Sequence, residues 1–100
     1  MVYEDLVVLQ EAPNDIPDGK DFYDSIENGV GHYFVSCILA DLEALKLYAG
    51  LHKRIFKLFQ AKSKRFPFSI YYVIEDDVVY VLAILDMRQN PASITKRILR

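Results

Sequence analysis

Eight consecutive apolar residues, Val78 to Leu85, constrain this chain more than any other stretch. A run of that length rich in β-branched side chains fits a strand buried on both faces or lying centrally in its sheet. It is far short of the roughly 18 to 20 residues that span a bilayer as a helix. The preceding segment, Ser69 to Glu75, is β-branched and aromatic, and Asp76-Asp77 supplies a tight turn between the two. A hairpin over Ser69 to Asp86 is the firmest local prediction.

The remaining elements arrange themselves around that hairpin. Ile55 to Lys64 mixes aromatic, aliphatic and basic residues with a period near two, which predicts a strand with one wet face, nearer a sheet edge. Arg65-Phe66-Pro67-Phe68 interrupts it, with Phe66 and Phe68 anchoring a bend into the core. Tyr3 to Leu9 reads as a first strand that stops before Gln10-Glu11. Asn90-Pro91 restarts the chain as a short basic helix, Ala92 to Leu99.

Two helices fill the interval. Pro is comfortable only in a first turn, so regular helix is expected from Pro17, with Phe22, Tyr23 and Ile26 inward and Asp15, Asp18, Asp21 and Asp24 outward. The acids suit the helix dipole, and a partner helix carrying Lys or Arg can use the same face. Glu27-Asn28-Gly29-Val30-Gly31 is a short connection whose Asn and Gly accept positive φ. Beyond it, Val30, Phe34, Cys37, Ile38, Asp41, Leu42 and Leu45 form one stripe of a helix that stops near Tyr48-Ala49-Gly50.

The expected fold is therefore α+β: an N-terminal strand, a helical hairpin packed on one face of a three- to four-stranded, mainly antiparallel sheet, and a short C-terminal helix. At 100 residues, 52% of them apolar, the chain is expected to be one domain, residues 1–100, with one core. Lone Cys37 reads as a small buried hydrophobe. The start, Met1-Val2-Tyr3-Glu4-Asp5, puts acids where a secretory signal carries Lys or Arg, so a cytoplasmic location is expected.

Net charge conceals an asymmetry. Residues 1–50 hold ten acids against Lys20 and Lys46, and residues 51–100 hold ten bases against Glu75, Asp76, Asp77 and Asp86. Either the halves interleave and cancel, or the molecule carries a basic surface for a polyanion or an acidic partner.

Order and spacing then carry a resemblance. Lys64-Arg65-Phe66-Pro67-Phe68-Ser69-Ile70-Tyr71-Tyr72, followed by Val78 to Leu85 and Asp86-Met87-Arg88-Gln89-Asn90-Pro91, resembles the carboxy-terminal part of ParE-like toxins of the RelE/ParE superfamily. Asp15-Ile16, Asp21-Phe22-Tyr23 and Gly29-Val30-Gly31 leading into Phe34 are similar to that family's helical hairpin. The resemblance implies the toxin of a bacterial type II toxin–antitoxin pair, neutralised by a cognate antitoxin. Two departures bear on target and potency: Pro13 and Pro17 stand where relatives carry helix formers, and the formal net charge is −2 where many relatives are basic.

The superfamily holds two mechanisms, poisoning of DNA gyrase and cleavage of messenger RNA on the ribosome; an inactive antitoxin-binding relative is a third reading. Cleavage by a 2′-hydroxyl needs a proton acceptor, cations for the phosphate and an acid for the leaving oxygen. Lys57, Lys62, Lys64, Arg65 and Arg88 offer cations, of which Lys62, Lys64, Arg65 and Arg88 are the catalytic candidates. A base is harder to find: His32 falls in the helical hairpin, His52 stands alone, and Thr95-Lys96-Arg97-Ile98-Leu99-Arg100 lacks the Tyr or His of several ribosome-dependent relatives. Tyr71, Tyr72 and Tyr80 alternate as packing residues do. The gyrase reading therefore leads. Arg65, Arg88 and Arg97 are the partner-binding candidates, each able to fork onto phosphate or carboxylate; Arg88 alternatively pairs with Asp86 or an acid of the first helix. No spacing suits a metal site, Gly29-Val30-Gly31 lacks the rest of a phosphate loop, and no cofactor, small-molecule substrate or membrane is expected.

Overall fold

The computed structural model describes residues 2–9 and 11–99. Met1, Gln10 and Arg100, which the sequence reading puts at the start, just past the first strand and after the last helix, lie outside the described residues. The chain runs β1 (Asp5–Val8), α1 (Ala12–Ile26), α2 (Val30–Tyr48), β2 (Lys53–Ile55), β3 (Leu58–Lys62), β4 (Phe68–Glu75), β5 (Val78–Asp86) and α3 (Pro91–Ile98). One sheet of order β1-β5-β4-β3-β2 holds every strand, antiparallel except for β1 beside β5. The expected α+β architecture is the one the chain has.

Alternation along β4 assigns the sheet faces. Phe68, Ile70 and Tyr72 meet Phe34, Ile38, Leu42 and Leu45 of α2 in the main core. Tyr71 points the other way, into a smaller core closed by Ile94 and Ile98 of α3 with Leu58, Ala83 and Leu85. Helices were expected on one face only; α3 covers part of the second. The face is apolar enough to need it, since Tyr71 is fully buried there. Asn90 starts α3 by accepting the Ala92 N–H at 2.8 Å, with Pro91 in the first turn.

The hairpin of β4 and β5 matches the sequence expectation closely. Asp76 and Asp77 take φ of 51° and 63°, the pair of left-handed residues that a tight two-residue hairpin requires. Ala83 faces Tyr71 while Val81 faces Tyr72, so Leu82 is an extra residue and the strand is bulged. The strand expected from Ile55 to Lys64 is instead two. Ile55 pairs with Leu58, and the chain reverses through Phe56-Lys57. This reversal makes the fifth strand, and neither turn residue is a Gly, Asn or Asp that would have announced it.

α1 departs most from expectation. It begins at Ala12, with Pro13 in its first turn and Pro17 inside. Its inward residues are Ala12, Asp15, Gly19 and Tyr23, whereas Phe22 and Ile26 are exposed. Asp15, placed outside by the sequence reading, is the reason. Its carboxylate accepts the Ile84 N–H at 2.9 Å and both Arg97 terminal nitrogens at 2.9 Å. That anchorage holds the turn that Pro17 weakens by lacking an N–H for the Pro13 carbonyl. Glycines set the crossing with α2: a Cβ on Gly19 would sit 2.6 Å from the Phe34 ring. Asp24 closes the connection, accepting the Gly31 N–H and the Lys20 ammonium, each at 2.8 Å, in place of a side chain on N-cap Gly29. Cys37 is half-buried rather than in the core.

Candidate functional site

The bases divide into two groups according to what faces them. Arg97 is spent on Asp15, with Glu11 at 3.5 Å as a second carboxylate. Arg88 forks onto Asp86 at 2.9 and 3.1 Å, donates to the Tyr23 hydroxyl at 3.0 Å and lies 5.8 Å over the Phe22 ring. Burial alone would raise the Asp86 carboxyl, but the Arg88 hydrogen bonds outweigh it and hold it below the ordinary value. For Arg88 the ion-pair alternative is therefore the one realised. Both arginines tie α1 to β5 and α3, and the acidic first helix is partly neutralised there.

The second group lies where the chain carries no acid at all. Between Glu43 and Glu75 there are seven bases and no carboxylate. Lys62 ends β3, and Lys64 and Arg65 lie in the loop to β4. All three are exposed and, among the described residues, none has an ion pair. Phe66 fixes this corner by packing edge-on against Phe34 at 5.1 Å and Tyr23 at 4.8 Å, and the Ser63 hydroxyl donates to Asp41 at 2.6 Å. Lys64 and Arg65 flank a groove of about 300 Å³ whose other wall is the small-residue side of α2, Ser36, Cys37, Ala40 and Asp41. Three of the five sequence candidates thus meet at one corner, and Arg88 and Arg97 are engaged elsewhere.

Proton-transfer groups near that corner are few. His52, Asp41, Lys62 and Lys64 line a cavity of about 80 Å³ between α2 and β3. That is well below the roughly 300 Å³ at which ligand pockets begin. His52 Nδ1 is 2.6 Å from the Tyr72 hydroxyl, which also accepts the Gly50 N–H at 2.8 Å, and burial lowers the imidazole pKa. Its geometry is that of a strut joining the end of α2 to β4. A pH signature follows. Below the ordinary histidine value of 6.5 the unfolded chain takes a proton that the folded one refuses, so stability drops as the pH is lowered from 6.5 to the depressed folded pKa. Above 6.5 the contribution is complete. Thermal midpoints at pH 7.5 and 5.5 are expected to differ less in His52→Asn than in the parent. Equal differences would remove this role.

On the opposite sheet face the sequence reading missed a polar cluster. Gln60 Nε2 donates to Ser69 Oγ at 3.1 Å and to the Tyr71 hydroxyl at 3.2 Å, and that hydroxyl donates to Met87 Sδ at 3.3 Å. Burial pushes the Tyr71 phenol up, so it is no base at neutral pH. Gln60 between Phe59 and Ala61 was the available signal, a polar residue on the face that Leu58 buries. Among the described residues, no group of three or more His, Cys, Asp or Glu is placed to hold a metal ion. No helix among them is long and apolar enough to cross a membrane.

This arrangement can grip phosphate or carboxylate through Lys64 and Arg65, and the carboxylate that shares their groove, Asp41, accepts from the Ser63 hydroxyl. A solved structure described as the chromosomal ParDE TA system from P. aeruginosa is similar to this chain. The TM-score is 0.73 at 17% identity, over 82% of this chain and 94% of that one. At that identity the likeness is one of fold. No family model matches the sequence, and no curated protein matches it.

Proposed function

We propose that this chain is the toxin of a type II toxin–antitoxin pair, a single domain that acts in the cytoplasm, arrests growth by binding DNA gyrase and is neutralised by a cognate antitoxin. The observation that carries this reading is the fold likeness to a ParDE chain, which spans 82% of this molecule rather than one motif. The exposed surface supports a protein-binding role: Phe22, Ile26, Tyr33, Leu39, Leu47, Tyr48 and Leu51 are all large apolar side chains left open to solvent. An antitoxin that wraps the helices would cover them.

Binding is preferred to RNA cleavage on the chemistry of the basic corner. Lys62, Lys64 and Arg65 supply cations, but the imidazole that shares a cavity with two of them, His52, is tied to Tyr72 in a space too small for a nucleotide, and the Asp41 carboxylate there is held by Ser63. Induction of the chain in a bacterial host, with plasmid topology and transcript ends followed in the same culture, separates the two mechanisms. Loss of negative supercoiling with intact transcripts is expected. Cuts within translated messages, with topology unchanged, would hand the function to the endoribonuclease reading, and healthy growth would favour an inactive relative.

Charge reversal at the corner gives a sharper test. Lys64→Glu with Arg65→Glu is expected to weaken growth inhibition at least tenfold while stability changes by less than about 0.5 kcal/mol, because both side chains are exposed. Undiminished toxicity in a folded double variant would remove these two residues from target binding.

A further inference from the structure

The turn between β2 and β3 breaks a local rule. A two-residue hairpin that needs positive φ at its first central position is ordinarily built on Gly, Asn or Asp. Here Phe56 takes φ of 55°, and 57% of its surface is exposed. A bulky aromatic in that backbone region is strained and wins no burial in return, so neither local propensity nor core packing accounts for it.

Its surroundings supply what the fold does not explain. Phe56, Lys57 and Leu58 form one wall of a notch of about 520 Å³, and Ile98 and Leu99 at the end of α3 form the other. Leu99 is also 57% exposed. The cations on that face are Lys57, which lines the notch, and Lys53, which shares the face of Ile55 on β2; neither has a carboxylate partner among the described residues. Arg54 faces away from the notch: its guanidinium lies 4.5 Å over the Phe59 ring on the main-core side of the sheet and donates to the Lys57 carbonyl at 3.5 Å, bracing the turn. Cations on a short edge strand can serve merely to discourage strand pairing. That accounts for Lys53 and Arg54 and leaves Phe56 unexplained.

We propose that the tip of the β2–β3 hairpin and the end of α3 form a docking notch for an acidic protein segment, with Phe56 as the anchor on this side. The occupant carries a large apolar side chain that enters between Phe56, Leu58 and Leu99, flanked by Asp or Glu that reach Lys53 and Lys57. Charge complementarity selects it, since no acid of this chain lies between Glu43 and Glu75 to compete for those bases. A nucleic acid fits less well. It calls for cations tracking a backbone between successive stacking faces, whereas the notch offers a single ring, Phe56, among Leu58, Ile98 and Leu99. The inference does not depend on gyrase being the target, and its test does not use gyrase.

The test pans a random peptide library displayed on phage against the full chain, with counter-selection against Phe56→Gly. Glycine suits the turn, so that variant is expected to melt at the parent temperature or above it. Enriched peptides are expected to carry an apolar residue flanked by at least two acids. Their binding should fall at least tenfold in both Phe56→Gly and Lys57→Glu, and their amide shifts should map to Phe56, Lys57, Leu58 and Leu99. If Phe56→Gly melts lower, the Lys57→Glu comparison alone decides. Neutral or basic consensus peptides, or acidic ones that bind both variants undiminished, would overturn the proposal. So would shifts at the notch produced by a single-stranded oligonucleotide and not by the peptides, or self-association that Phe56→Gly abolishes with no peptide enriched.

Discussion

Asp15→Ala is expected to lower the stability of the fold by about 3 kcal/mol, the low end of the range for stripping one partner from a buried ion pair. On a domain of this size that corresponds to a fall of roughly 15 °C in Tm. The Asp15 side chain is only 9% exposed, and three elements converge on it: its own helix, the Ile84 N–H of β5 and the Arg97 fork of α3. β1 pairs with β5 only from Val78 to Val81, so the edge of β5 beyond that point relies on α1 for cover. Removal of the carboxylate leaves the Ile84 N–H unsatisfied and the Arg97 cation without its fork, with Glu11 at 3.5 Å as a weaker substitute. Asp15→Asn retains an acceptor for Ile84 and should lose less. Urea melts of the two variants check the order, and a loss below about 1 kcal/mol in Asp15→Ala would contradict the anchoring role.

Gly31→Ala is expected to cost a similar amount, about 3 kcal/mol, for a steric reason rather than an electrostatic one. A Cβ at Gly31 would collide with the Lys20 carbonyl and the Asp24 carboxylate of α1, and backbone cannot swing aside as a flexible side chain can. The helices would have to part where Asp24 caps α2 through the Gly31 N–H. Gly29→Ala meets no neighbour within 4 Å and suffers only from its φ of 94°, so it should lose roughly 1 kcal/mol. Parallel thermal melts separate the two positions. Equal losses would mean that backbone conformation, not helix contact, governs the connection.

These residues show where sequence reasoning reached and where it stopped. The β4–β5 hairpin was legible because two apolar, β-branched runs flank the Asp76-Asp77 turn, and the stripe of α2 because it keeps one helical spacing throughout. α1 was misjudged because its buried stripe is Ala12, Asp15, Gly19 and Tyr23, and hydropathy gives no credit to an acid or a glycine facing inward. The partner that makes Asp15 an inward residue is 82 positions away, beyond the reach of any local pattern. The split at Phe56 was hidden for a related reason, since the turn uses none of the residues that mark turns.

For the candidate site the limit was different. Lys62, Lys64 and Arg65 were found because adjacency in sequence already brings them together, next to the Phe66-Pro67-Phe68 bend that holds them. Arg88 and Arg97 looked equivalent to them by residue type. For Arg88 the pairing with Asp86, two residues away, was already one of two sequence readings and is the one realised, whereas only the fold brings Asp15 to Arg97. The charge asymmetry between the halves was therefore half cancelled. α1 and α3 neutralise one another, while the stretch from β2 to β4 keeps its bases open to solvent.

Gyrase binding is the claim on which the proposed function turns, and purified components test it most directly. Relaxed plasmid, ATP and DNA gyrase are incubated with increasing amounts of the folded chain, and supercoiled product is resolved on a gel. The account predicts a dose-dependent loss of supercoiling, weaker by at least tenfold with Lys64→Glu and Arg65→Glu together. Full supercoiling in the presence of excess folded protein would contradict it.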